Sequence, residues 1–144
     1  MSKEKYLNEL VSSLGVFYVK LHQYHWYVKG PSFFVLHEKF EEFYDEITGH
    51  FDEVAERMLM LGMKPASTLK EYIEHSFIKE TPYAKELSAK EMVTEILADY
   101  KLLVEKVQEG YDVVEGDEVT TDILVGLETA YGKHAWMLGF YLDN

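Results

Sequence analysis

Apolar side chains recur along most of this chain at intervals of three and four. Between residues 4 and 28 they fall at Leu7, Leu10, Val11, Leu14, Phe17, Tyr18, Leu21 and Val28, with His25 in the same stripe. That spacing places them on one face of an amphipathic helix. "KGPS" ends the helix, with Gly30 as the stop and Pro31 suited to the first turn of the next one. A second helix is predicted from about 32 to 61 through Leu36, Phe40, Phe43, Ile47, Phe51, Val54, Met58 and Leu61, and "GMKP" stops it. Gly49 inside it costs about 1 kcal/mol relative to Ala, which a long packed helix tolerates. "STLKEYIEH" predicts a short helix with Ser67 as N-cap and Glu71 near the first turn. A third long helix is predicted over roughly 88–114, opened by Ser88 and Glu91 as a capping box and running through Met92, Ile96, Tyr100, Leu103 and Val107. A fourth is predicted over about 118–142 through Leu124, Leu127, Tyr131 and Leu138. No stretch alternates with the period of two that a strand requires.

The connection between the second and third long helices, about 62–87, is itself long and contains the short helix. A long crossover joining parallel second and third helices is the ferritin-like variant of the four-helix bundle. The expectation is therefore an all-α chain, a ferritin-like four-helix bundle with a short extra helix in the crossover, forming one domain over residues 1–144. Composition agrees: 144 residues, 47% hydrophobic and 15% aromatic, can bury a core. The absence of cysteine excludes a disulfide framework, a thiolate zinc site and cysteine nucleophiles. "MSKEKYLNEL" has no apolar signal core and no run is long enough for a bilayer span, so a cytoplasmic protein with no membrane partner is expected. The formal net charge of −12 disfavours binding to phosphate backbones. It is compatible with collecting cations, although on charge alone plain solubility is the preferred reading.

Metal-capable side chains are abundant, and spacing selects among them. Asp52 and Glu56, four apart, share one face of the second helix with Asp45 and Thr48, and with Phe34 and Leu59 towards its ends. This face lies well away from the Phe40, Ile47, Val54 stripe, so these carboxylates do not point into their own core. An internal di-iron bundle needs Glu-x-x-His from two helices. Glu46 and His50 have the wrong spacing, and "EYIEH" lies on the short crossover helix. His37 precedes Asp52 by fifteen residues, about 22 Å along a helix, too far for one ion. His25 can fold back over the Gly-Pro turn towards His37. If both histidines and both acids serve one centre, they must come from different chains. An antiparallel pair of second helices about a two-fold axis would create two such centres. Such a donor set suits Fe(II), Mn(II) or Zn(II). Taken singly, His25 also reads as a hydrogen-bonded interior residue, Asp52 and Glu56 as a solvated face, and Trp26 as packing.

The run "HQYHWYVKGPSFFVLHEKF" followed by "HFDEVAERMLMLGMKP" resembles the Dps (DNA protection during starvation) mini-ferritins, and the likeness extends to "KHAW" near the end. His25, His37, Asp52 and Glu56 all satisfy the family's spaced motif. The resemblance implies a hollow dodecamer in which Fe(II) is oxidised to Fe(III) at two-fold interfaces and stored as ferric mineral. Two histidines of one subunit would face the Asp and Glu of its neighbour, with room for a second, weaker iron. It implies hydrogen peroxide as the preferred oxidant over dioxygen, with two Fe(II) reducing one peroxide to water. By the same analogy Trp26 would donate an electron when oxidant exceeds iron, and Glu38 would act in the outer shell or at the second iron. Asp117 and Asp122, in the acidic stretch "EGDEVTTD", would line an iron-entry pore. Asp117 reads equally as the N-cap of the last helix. DNA-coating members carry basic tails, which this sequence lacks, so DNA compaction is the less favoured alternative.

Overall fold

A computed structural model describes residues 1–143, and among them every regular element is a helix: α1 (Lys3–Tyr27), α2 (Phe33–Met60), α3 (Leu69–His75), α4 (Ala89–Val113) and α5 (Glu118–Leu142). Each long helix lies within one residue of its expected bounds at both ends. The chain separates into two compact units, residues 1–89 and residues 90 onward.

In the first unit, α1 and α2 pack antiparallel across a tight turn. Ser2 caps α1, its hydroxyl accepting from the Lys5 N–H. The α1 stripe is sealed: Leu7, Leu10, Val11, Leu14, Phe17 and Leu21 are all essentially inaccessible, as are Leu36, Phe40, Ile47 and Met58 on α2. Gly30 sits at φ +103°, a left-handed conformation that a side chain would strain. The Phe33 N–H closes the turn on the Gly30 carbonyl at 3.0 Å. This reversal sets the end of α1 against the beginning of α2.

The crossover runs along α1 in the same direction as α1, and α1 side chains hold its backbone. Asn8 accepts from the Ala66 N–H at 2.7 Å and donates to the Lys64 carbonyl at 3.2 Å. The Ser13 hydroxyl accepts from the Phe77 N–H at 2.9 Å. Further along, the buried Lys20 donates to the Lys79 carbonyl at 2.7 Å, and Gln23 donates to the Thr81 carbonyl at 3.0 Å. Tyr27 stacks on Tyr83 at 3.9 Å, and Lys29 pairs with Glu86. Irregular backbone needs such partners, because its peptide groups lack a ladder.

The short helix is capped one residue later than the sequence suggested. Thr68, not Ser67, is the N-cap: its hydroxyl accepts from the Glu71 N–H at 3.2 Å and donates to the Glu71 carboxylate at 2.8 Å. Ser67 contributes only its N–H, to that same carboxylate. The reason is register. Thr68 is the residue three before Glu71, the separation a capping box needs, and the hydrogen bonds hold the Glu71 carboxyl below its usual value.

In the second unit, α4 and α5 run antiparallel. Tyr100 touches Tyr131 and His134, while Tyr111 and Gln108 both donate to Glu128, at 2.6 and 3.0 Å. Asp117 caps α5, one oxygen accepting from the Thr120 N–H at 3.1 Å and the other from the Thr120 hydroxyl.

Candidate metal centre

The Gly30 reversal places His25, in the last turn of α1, beside His37, in the second turn of α2. The two rings stack at 3.8 Å with 15° between their planes. Their hydrogen bonds are reciprocal: His25 Nδ1 lies 2.7 Å from the His37 carbonyl, and His37 Nδ1 lies 2.8 Å from the His25 carbonyl. A carbonyl oxygen only accepts, so each Nδ1 carries a proton, and in the neutral rings each Nε2 keeps its lone pair. Outer-shell carbonyls orient metal-binding imidazoles in this way. His25 is buried, and Phe33 stacks on His37 at 5.0 Å. Each ring is thus fixed in position with one nitrogen available.

Asp52 and Glu56 lie one turn apart on α2 and are exposed. A hydrogen bond with Asp52 is the largest cause holding the Glu56 carboxyl above its ordinary value, followed by the Asp52 charge and by desolvation. Two acids this close repel each other when both are ionised, and a cation between them relieves that repulsion. Nitrogen and carboxylate donors without sulfur fit Fe(II) as a substrate ion.

The structure brings together the histidine pair and the acid pair, but not one pair with the other. Among the described residues, no group of three or more His, Asp or Glu side chains is gathered so as to hold a metal. Of the other expected positions, Trp26 is 69% exposed and lies 5.5 Å from His22. Glu38 is exposed. Asp117 is occupied as the α5 cap, while Asp122, further along the same helix, is exposed.

Three neighbours of the histidine pair were not singled out by the sequence pattern: Glu41, Tyr44 and His22. Glu41 places a carboxylate oxygen 3.8 Å from His25 Nε2. Tyr44 meets the His25 ring edge-on at 5.3 Å and stacks on His22 at 3.7 Å. The Tyr44 phenol is held above its ordinary value by desolvation first, then by the charges of Glu41 and Asp45. Glu41 and Tyr44 come four and seven residues after His37, a same-face spacing that could have found them.

A protein-family model for the ferritin-like domain matches residues 4–144. DNA protection during starvation protein 2 of Bacillus anthracis is 47% identical over 140 residues, covering 96% of this chain and 94% of that protein. The chain belongs to the Dps family of ferritin-like proteins. General stress protein 20U of Bacillus subtilis is 44% identical over 138 residues, with 94% of each chain covered. The crystal structure of Dps from Listeria monocytogenes superimposes with a TM-score of 0.97 at 40% identity, covering 99% of this chain and 94% of that one. The fold is therefore the ferritin-like four-helix bundle of Dps proteins, and the family match runs through both compact units. No helix among the described residues is long and apolar enough to cross a membrane.

Proposed function

We propose that this Dps protein is a ferroxidase and iron store, oxidising Fe(II) with hydrogen peroxide at centres shared between paired subunits of a hollow dodecamer and retaining the ferric product as mineral. The observation that carries this reading is the reciprocal lock of His25 and His37. It presents two imidazole lone pairs, yet the two motif acids stand elsewhere on the same helix. A neighbouring copy is the natural source of the missing carboxylates.

The exposed face of α2 supports that arrangement. At about 100° per residue, Phe34, Asp45, Thr48, Asp52, Glu56 and Leu59 fall within roughly 80° of one another around the helix. Phe34 is 83% exposed and Leu59 62% exposed. In an antiparallel pair of α2 helices with His37 opposite Glu56 of the other copy, Phe34 falls opposite Leu59 and Asp45 opposite Thr48. One register thus matches acid to imidazole and apolar to apolar at the same time.

In this reading His25, His37, Asp52 and Glu56 bind Fe(II), with open positions for oxidant and for a second iron. Carboxylates favour the more highly charged ferric product. Taking two electrons from two Fe(II) for each peroxide avoids the one-electron route to hydroxyl radical. Asp122 at the exposed start of α5, with Asp117 beside it as the cap, remains the candidate for iron entry. Direct DNA binding is the weaker alternative, because each chain carries a formal charge of −12.

Anaerobic Fe(II) titration followed by peroxide tests the reading. Saturable uptake that is lost in His25→Ala with Asp52→Ala, and rapid iron oxidation by peroxide, are expected. Uptake unchanged in that variant would overturn the site assignment.

A further inference from the structure

His25 stands in the last turn of α1, where a helix ordinarily frays. The last bond of the helical ladder runs from the Val28 N–H to the Tyr24 carbonyl at 3.0 Å, which leaves the His25 carbonyl outside it. That carbonyl is the acceptor for His37 Nδ1. Both halves of the histidine lock therefore depend on one turn staying wound, because His25 supplies one ring and the carbonyl that orients the other. An open last turn would lose both.

The crossover supports this turn from behind. At about 100° per residue, Lys20, Gln23 and Tyr27 fall within roughly 60° of one another, on the side of α1 opposite His25. Each holds the crossover. Lys20 donates to the Lys79 carbonyl at 2.7 Å, Gln23 donates to the Thr81 carbonyl at 3.0 Å, and Tyr27 stacks on Tyr83 at 3.9 Å with 9° between the rings. Gln23 and Tyr27 bracket His25 along the chain, and Tyr27 is the last residue of the helix. The Tyr83 hydroxyl accepts from the Leu87 N–H at 3.1 Å, which ties the ring into its own segment. Lys29 and Glu86 approach to 2.7 Å, but both side chains are exposed and such a pair adds little. The stacked rings are the larger contribution at the helix end.

We propose that the crossover segment 79–87 is a strap that positions His25 for metal binding, and that Tyr83 is its positioning residue, acting through Tyr27 on the last turn of α1. That iron is the metal rests on the ferroxidase reading above. Without the strap the turn opens at little cost, and metal affinity falls with the fraction of subunits whose turn is closed. The contacts at the other end of α1 do not bear on the centre. Asn8 binds Lys64 and Ala66 about 25 Å along the helix from His25. A change there loosens the start of the crossover and leaves the histidines as they are.

Three variants of the assembled protein test the strap: Tyr83→Ala, Tyr83→Phe and Asn8→Ala. Amide hydrogen exchange of the metal-free protein reads the end of α1. Anaerobic titration with Co(II), followed by its visible absorption, reads the centre. Tyr83→Ala should speed exchange over residues 24–28 and weaken Co(II) binding, each by a factor of about three to ten, the scale of one aromatic stack. Tyr83→Phe keeps the stacked ring and should behave as the unaltered protein in both. Asn8→Ala should speed exchange over residues 64–66 and leave Co(II) binding unchanged. Co(II) binding unaffected by Tyr83→Ala, or weakened equally by Asn8→Ala, would overturn the proposal and leave the metal centre standing. Unaltered protein that binds no Co(II) would remove the centre and the role of the strap together. If Tyr83→Ala does not assemble, Gln23→Ala, which removes one hydrogen bond from the same face, takes its place with the same outcomes.

Discussion

A mixed-subunit experiment turns the separation of the histidine pair from the acid pair into a number. One variant carries His25→Ala with His37→Ala, and the other carries Asp52→Ala with Glu56→Ala. Each alone forms no complete centre. Consider a two-fold pair containing one of each. The centre formed by the acids of the first chain and the histidines of the second is whole, and the other centre lacks all four groups. Random pairing of equal amounts makes half of the pairs mixed, and each mixed pair keeps one of its two centres, so about a quarter of the original centres return. The assay is the amplitude of the fast phase of Fe(II) oxidation after the two variants are unfolded together and refolded, with assembly checked by light scattering. Co-refolded protein as inactive as the separate variants would refute a shared centre. Such a result would require all the ligands to come from one chain, against the absence of a gathered donor set in the described residues.

Other expectations rest on individual groups. Because the Asp52 hydrogen bond raises the proton affinity of Glu56, protons should displace a redox-silent probe such as Co(II) at a higher pH than the ordinary glutamate value of about 4.3; calorimetric titration across that range should show affinity falling as pH falls. Tyr111, which donates to Glu128, is pushed from 10.0 to about 12, chiefly by burial. The folded state then holds this proton more tightly than the unfolded state. Stability should therefore be intact below about pH 10 and fall by up to about 3 kcal/mol towards pH 12. Tyr111→Phe should abolish that slope in alkaline chemical denaturation. It should also cost about 1–2 kcal/mol at neutral pH, through loss of a hydrogen bond to a charged acceptor. Iron-free protein should give no gel shift with duplex DNA at neutral pH and physiological salt, and a salt-sensitive shift would contradict the charge argument.

The helical architecture was legible because it rests on local periodicity. Four stripes with stops at Gly30 and Gly62 define the long helices to within one residue. The N-cap at Ser67 was misplaced because Ser67 and Thr68 are equally good capping residues, and only the three-residue distance to Glu71 separates them. Asp117 does cap α5, through its two bonds to Thr120. The pairing of His25 with His37 could be anticipated from the Gly-Pro turn. The reciprocal Nδ1 bonds could not, since ring orientation depends on where the opposing carbonyl lies. Glu41 and Tyr44 were missed for a related reason. Their spacing from His37 is visible in the sequence, but their partners His25 and His22 belong to α1, and no pattern along α2 reports what stands across from it.

The crossed bonds between the two imidazoles also bear on how this corner tolerates change. Each ring is tethered to the main chain beneath the other, so replacing either side chain leaves the survivor's own hydrogen bond in place and removes only its stacking neighbour. A single replacement should therefore leave the remaining imidazole oriented, with its Nε2 still presented. Loss of this chemistry can then proceed one ring at a time.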